Sequence, residues 1–270
     1  MDEFKAYLIQ EEKSELTVEK YIRDVQKFLL WLESEELDKG KVLAYKAELV
    51  EQYAVVSVNS IISSINSYLA FIGRGDCRVK TVRQQKKGFL PKERELSKEE
   101  YNRLLKAAAK KPRLSLLMQT ICATGIRVSE HQFITVEAAK AGQAEVRLKG
   151  KSRVVFLPRK LCTALLKYAK VHRITDGSIF ITTSGNPLNR SNIWVEMKKL
   201  CAAARVRREK VFPHNLRHLF ARIYYNVEKD IVRLADILGH SSVNTTRIYT
   251  MESGEIHRRQ IEKMSRLFIT

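Results

Sequence analysis

The chain is short of acid. Its 270 residues carry 30 Asp and Glu against 49 Lys and Arg, a formal net charge of +19. Such an excess repels itself in the compact state, so a polyanionic partner is expected to offset it, nucleic acid before a membrane surface. Long apolar runs are missing too. Even Phe28-Leu29-Leu30-Trp31-Leu32 falls far short of the roughly 20 residues a membrane span needs. The opening Met-Asp-Glu-Phe-Lys lacks the basic-then-apolar layout of a signal peptide. Cysteine is sparse: Cys77, Cys122, Cys162 and Cys201 lie far apart with no Cys-x-x-Cys pair. That speaks against a zinc ribbon or a disulfide framework, and suits scattered buried thiols in a reducing cytoplasm. No dense group of Asp and Glu is present to hold paired Mg²⁺ ions, and internal repeats are absent.

What is present is enough apolar material, 44% of residues, for a packed core. The first third reads as helices only. Thr17 is positioned to cap a helix whose apolar face holds Val18, Tyr21, Ile22, Val25, Phe28, Leu29 and Leu32. A second stripe runs through Val42, Tyr45, Leu49 and Val50, and a third through Val58, Ile61, Ile62, Ile65 and Leu69, starting near Ser57. A small helical bundle over 1–73 is expected. At Gly73-Arg74-Gly75-Asp76-Cys77 the periodicity stops, and Arg78, Lys80, Arg83, Lys86 and Lys87 follow. Residues 74–94 therefore read as a basic interdomain linker able to lie along a DNA backbone.

The second domain, 95–270, is mixed. Ser97 and Glu100 fit a capping box opening a helix near 98–110, and a buried helix Leu114–Ala123 ends at Thr124-Gly125. Alternation over Ala144–Leu148 and Arg153–Leu157 predicts an antiparallel hairpin turning at Lys149-Gly150-Lys151-Ser152. Pro158 opens another helix, Ile179–Ile181 reads as a short strand, and the rest is largely helical. The fold class is mainly α with a small antiparallel β-sheet, an α+β chain.

Four pieces carry chemistry. In Pro213-His214-Asn215-Leu216-Arg217-His218, His214 and Arg217 stand three apart at a helix start and share one face. In Leu238-Gly239-His240-Ser241-Ser242 a helix stops at glycine and a histidine follows from the turn. Thr245-Thr246-Arg247-Ile248-Tyr249-Thr250 lies beyond it, and Ala123-Thr124-Gly125-Ile126-Arg127-Val128-Ser129-Glu130 upstream. Two guanidiniums match the non-bridging oxygens of one phosphodiester, and would neutralise the charge that builds as phosphorus becomes five-coordinate. Two histidines and a hairpin lysine can move protons, and a tyrosine hydroxyl can form a covalent ester. Positive side chains would then replace a metal, and no cofactor is expected.

Together, in this order and at this spacing, these motifs resemble the tyrosine recombinase, or phage-type integrase, family. The resemblance covers roughly 95–270, and the helical first third is similar to that family's SAM-like core-binding domain. It implies that Arg127 and Arg217 bind the scissile phosphate and that Tyr249 attacks it, leaving a 3′-phosphotyrosyl link and a free 5′-hydroxyl. His214 would act in proton transfer with the nucleophile, His240 would hydrogen-bond a phosphate oxygen, and Glu130 would support the site. A lysine would protonate the leaving 5′-oxygen. Lys149 and Lys151 flank one glycine, and the family's Gly-Lys order favours Lys151, with Lys149 as the alternative. The resemblance further implies double-stranded DNA sites as substrate, a homotetramer on synapsed DNA, and a tail, Gly254–Thr270, that docks on a neighbouring protomer.

The same residues admit other readings. His214 and His218 stand i, i+4 like a zinc pair, yet no glutamate follows the first histidine and no third ligand is evident, so no metal is expected and His218 reads as a structural or supporting residue. Asp230 to Tyr249 could form a helix-turn-helix, making the chain a non-catalytic DNA-binding regulator. Such a regulator has no need of two arginines and a lysine hairpin from distant segments. A type IB topoisomerase would share the nicking chemistry, but the two-domain layout favours a recombinase, and an RNA-binding protein would carry an aromatic sheet motif that is absent.

Overall fold

The computed structural model of the chain describes residues 1–33, 35–83, 95–148, 151–240, 242–250, 262 and 265. It divides into two compact units, Met1–Lys86 and Lys87–Thr270. Among the described residues no helix is long and apolar enough to cross a membrane. All four cysteines are free, Cys77 buried and the others half-buried.

The first unit is a helical bundle of α1 (Asp2–Gln10), α2 (Glu15–Leu32), α3 (Lys39–Gln52) and α4 (Val55–Phe71). Its core forms where the stripes meet. Phe28, Val42, Tyr45, Leu49, Val58, Ile62, Ile65 and Leu69 pack together, while Phe4 and Leu8 of α1 join Val18 and Val25. Two helix starts fall earlier than expected. The carbonyl of Ser14, not Thr17, accepts the first amides of α2, and the carbonyl of Ala54, not Ser57, those of α4. Val50, expected on the apolar face of α3, is exposed.

Residues 75–83, expected as the start of a linker, pack on this unit instead. Two asparagines of α4 account for it. Asn66 both accepts from the Val79 amide and donates to its carbonyl, at 3.0 and 2.8 Å. Asn59 does the same for Val82, at 2.7 and 3.0 Å. These side chains replace a neighbouring strand, so backbone that would otherwise seek water is satisfied against the helix. Cys77 and Val79 enter the core while Arg78, Lys80 and Arg83 stay exposed. Lys86 and Lys87 lie outside the described residues.

In the second unit, α5 (Lys98–Ala107) opens with the expected capping box: Ser97 Oγ accepts from the Glu100 amide at 3.1 Å and the Glu100 carboxylate from the Ser97 amide at 2.8 Å. Next come α6 (Pro112–Thr124), a 3₁₀ turn (Val128–Phe133), α7 (Val136–Ala141), and the hairpin of β1 (Gln143–Leu148) with β2 (Lys151–Phe156). Its antiparallel register pairs Gln143 with Phe156 and Leu148 with Lys151. The pairing therefore reaches further than the sequence suggested: Lys151 and Ser152, expected in the turn, belong to β2.

Beyond the hairpin lie α8 (Arg159–Val171), α9 (Arg190–Lys198), α10 (Cys201–Ala204), α11 (Pro213–Glu228), α12 (Ile231–Leu238) and α13 (Val243–Thr250). In place of the expected strand, the segment Ile179–Ile181 has isolated bridges at its edges, Ser178 to Thr135 and Ile181 to Pro187. Its apolar residues serve burial instead, for Ile179 and Phe180 are fully inside. The core runs from Leu96 through α6, α7, the hairpin and α8 to Leu219 of α11.

Candidate active site

Two left-handed glycines set up the site. α6 ends at Gly125 (φ 67°) and α12 at Gly239 (φ 64°), a backbone conformation that only glycine adopts without strain. At Gly125 there is also no room for a side chain: a Cβ would lie 2.5 Å from the Phe220 ring. Each glycine turns the chain sharply, so Arg127 follows one helix end and His240 the other.

Arg217 joins the two turns. It rises from the second turn of α11 into the interior, where it is 1% exposed. Its Nη1 donates to the Gly125 carbonyl at 2.5 Å and its Nη2 to the Leu238 carbonyl at 2.7 Å. Both acceptors belong to helix C-terminal ends, where unpaired carbonyls gather partial negative charge, so a buried cation is stabilised there. Nη2 also lies 3.0 Å from His240 Nε2. A guanidinium only donates, so Nε2 accepts, and the ring proton resides on Nδ1, which faces Thr246 Oγ1 of α13 at 2.8 Å. Burial, then the charges of Arg217, Arg127 and Arg153, push His240 down to about 4, so its imidazole is neutral at pH 7.

Arg127 is the exposed member, its side chain 40% accessible. Nη1 donates to Glu130 Oε1 at 3.0 Å, and Nη2 reaches the Gly239 carbonyl at 3.4 Å. Glu130 is wholly buried. Burial alone would raise its carboxyl, but the Arg153 guanidinium, the Arg127 amide and the Arg127 side chain outweigh it and hold it below the ordinary range. Arg153 donates through Nη1 and Nη2 to the two oxygens at 2.8 and 2.7 Å, a two-pronged pair.

Arg127, Arg217 and His214 line one open cleft of about 710 Å³, with Arg190, Ser191 and Trp194 of α9 on its far wall. His214 is kept neutral by burial and by Arg217, Arg127 and Arg190. Its ring meets that of His218 edge-on, centroids 4.4 Å apart, and His218 is pushed down to about 3 by burial first and then by His214. No group of three His, Cys, Asp or Glu able to hold a metal occurs among the described residues.

The structure thus brings Arg127, Glu130, His214, Arg217 and His240 together, with His218 beside His214. The backbone of Tyr249 lies in α13, three residues after the Thr246 that bonds His240. Its side chain, that of Lys151, all of Lys149 and the tail from Gly254, save Glu262 and Ser265, lie outside the described residues. Arg78, Lys80 and Arg83 belong to the other unit. Arg153 and Arg190 were not singled out in the sequence. For Arg153 the signal is the β2 alternation, in which Arg153 precedes Val155 and Leu157 at an inward position.

A concave surface with two convergent guanidiniums and neutral imidazoles fits the non-bridging oxygens of a phosphodiester. Comparison with known proteins agrees with that chemistry. Residues 94–255 match the phage integrase family, and residues 1–74 the phage integrase N-terminal SAM-like domain. The tyrosine recombinase XerA of Pyrococcus furiosus is 28% identical over 278 residues, spanning 99% of this chain and 94% of its own. In fold the chain is similar to the XerH site-specific recombinase in a post-cleavage complex with palindromic difH (TM-score 0.73, 20% identity, 94% of this chain and 80% of that one). It is also similar to lambda integrase, solved as a tetramer on a Holliday junction (TM-score 0.72, 18% identity, 92% and 75%). The chain belongs to the phage integrase family of tyrosine recombinases, enzymes of site-specific DNA recombination.

Proposed function

We propose that this recombinase cleaves and rejoins double-stranded DNA through a 3′-phosphotyrosyl link to Tyr249, in the integration or excision of a mobile element. The observation that carries the reading is the junction at Arg217, where two helix ends and His240 are tied to one buried guanidinium beside the exposed Arg127. Arg127 and Arg217 hold the non-bridging oxygens of the scissile phosphate. The Tyr249 oxygen attacks phosphorus, the 5′-oxygen leaves, and a hairpin lysine, Lys151 or Lys149, gives that oxygen its proton. His214 takes the proton of the nucleophile, as its neutral state permits. His240 hydrogen-bonds a phosphate oxygen in the loaded site, as the tautomer with its proton on Nε2 and Thr246 Oγ1 donating to Nδ1.

Each step exchanges one phosphodiester for another, so bond energy is conserved and ATP is not required. The arginines supply the charge stabilisation a metal would otherwise give. Arg78, Lys80 and Arg83, with Lys86 and Lys87, track the duplex backbone, which makes binding fall steeply with salt. Exchange between two duplexes needs four protomers, and the lambda integrase tetramer on a junction supports that assembly here. The tail from Gly254 is proposed to dock on the neighbouring protomer. The reducing cytoplasm suits the four free thiols. The test is selection of cleaved sites from random duplexes by capture of covalent complexes. The wild-type chain is expected to enrich one site and Tyr249→Phe to enrich none, while both still bind; enrichment by the phenylalanine variant would overturn the assignment.

A further inference from the structure

We infer that Arg153 of β2 is a positioning residue for the phosphate clamp: through Glu130 it fixes the guanidinium of Arg127, and through the Gly239 turn it fixes the second anchor of that guanidinium. The inference rests on the proposed phosphate chemistry and adds to it a residue on a third element.

Arg127 cannot hold its own position. Its side chain is 40% exposed and has two anchors, Glu130 Oε1 at 3.0 Å and the Gly239 carbonyl at a long 3.4 Å. Both anchors depend on Arg153. The buried Glu130 carboxylate accepts the Arg127 amide and side chain, but the shortest side-chain bonds to it are the paired ones from Arg153, at 2.8 and 2.7 Å. The planar fork fixes the carboxylate plane as well as its place, which a single ammonium cannot do. On its other side Arg153 Nε donates to the Ile237 carbonyl at 3.3 Å. Its Cδ fills the space over Gly239, 2.7 Å from where a Cβ would stand. One side chain from the hairpin therefore sets the carboxylate that orients Arg127 and packs against the glycine whose carbonyl meets Arg127.

A buried ion pair is weak evidence for stability, because desolvating both partners offsets most of their attraction. A role in geometry explains the arrangement better. Misplacing a reacting group by about 1 Å costs on the order of 10² in rate, so a loosened Arg127 should show in cleavage before it shows in folding. β2 also begins with Lys151, two residues before Arg153, so the same tether joins the lysine-bearing hairpin to the arginine clamp.

The experiment compares wild type, Arg153→Lys, Arg153→Met, Arg127→Ala and Arg127→Ala/Arg153→Met, following single-turnover adduct formation on a nicked duplex. The scissile linkage is either phosphate or methylphosphonate, the latter uncharged and so less dependent on guanidinium. Arg153→Met is expected to slow the phosphate reaction by about 10- to 10²-fold, with a smaller loss on methylphosphonate and duplex affinity lowered by no more than the factor that separates the two linkages in wild type. Arg153→Lys should recover only part, and the double variant should be no slower than Arg127→Ala, since Arg153 acts through Arg127. Wild-type cleavage by Arg153→Met overturns the inference. So does an equal loss on both linkages with a lowered melting temperature, or a further large drop in the double variant. Should wild type bind duplex yet never become attached to it, the proposed chemistry fails instead. The phosphate-versus-methylphosphonate difference in binding affinity then reads Arg153: shrinkage in Arg153→Met supports the inference, and no change overturns it.

Discussion

Arg127 and Arg217 are assigned to the same phosphate, yet removing them should have different consequences for the fold. Arg217 is buried and donates two short hydrogen bonds to helix-end carbonyls, those of Gly125 and Leu238. A hydrogen bond from a charged donor contributes about 1.5–3 kcal/mol, so Arg217→Ala should cost roughly 3–6 kcal/mol and leave both carbonyls unpaired. For a unit of this size each kcal/mol lowers the melting temperature by roughly 2–4 °C, a fall of about 6–24 °C in all. Arg127→Ala removes an exposed guanidinium, while Glu130 keeps both bonds from Arg153 and the Arg127 amide. Only the Arg127 end of this pair is exposed and Glu130 stays paired with Arg153, so the loss should be about 1–1.5 kcal/mol and the melting temperature should fall by no more than about 6 °C. Both variants should lose a factor of about 10² or more in cleavage, as when an oxyanion donor is removed. Thermal melting and single-turnover cleavage of a nicked duplex read the two effects separately. Equal melting temperatures for the two variants would refute the view that Arg217 is part of the frame, and near-normal cleavage by either would refute the clamp.

Three further outcomes are expected. Gly239→Ala should cost about 1–2 kcal/mol for the left-handed backbone, and cleavage should also fall because the new Cβ displaces Arg153. Gly142→Ala is the control, with φ 73° and open space around it; cleavage equal in the two variants would refute the packing argument. Urea unfolding should show stability declining as pH falls from about 6.5 towards 4. His240 and His218, held near 4 and 3, stay neutral in the folded chain while the unfolded chain takes up protons below the ordinary value of 6.5. On this account nothing changes above pH 7.5, and a flat profile between 6.5 and 4.5 would contradict it. For the lysine, Lys149→Ala and Lys151→Ala are compared on a duplex with a 5′-bridging sulfur. Sulfur leaves without a proton, so the variant lacking the general acid is rescued and the other is not.

The parts of this fold legible in the sequence are those fixed within a few residues. The Ser97–Glu100 box, the glycine ends of α6 and α12, and the placing of His214 and Arg217 at the start of α11 are local events, and the residues declare them. Even so, a local signal can be ambiguous by one turn, as when Ser14 rather than Thr17 opens α2. What could not be read depends on distant partners. The hold of Asn59 and Asn66 on residues 79 and 82 turns an expected linker into packed chain, and asparagines on a polar helix face carry no sign of it. The apolar run at Ile179 reads as a strand in the sequence because burial and strand formation share one composition. Arg153 reaches Glu130 across 23 residues, so only the folded chain joins them. For the candidate site, spacing pointed to residues the fold brings together, such as Arg127, His214, Arg217 and His240, while the burial of Arg217 and the protonation state of His240 emerged from packing.

The central claim is that Tyr249 becomes joined to DNA. The direct measurement is peptide mass spectrometry of the wild-type adduct trapped on a nicked duplex, after digestion of both protein and DNA. The account predicts a nucleotide 3′-phosphate on the peptide containing Tyr249, with a free 5′-hydroxyl on the released strand. A label on any other residue, or a 5′-phosphate link, would contradict it.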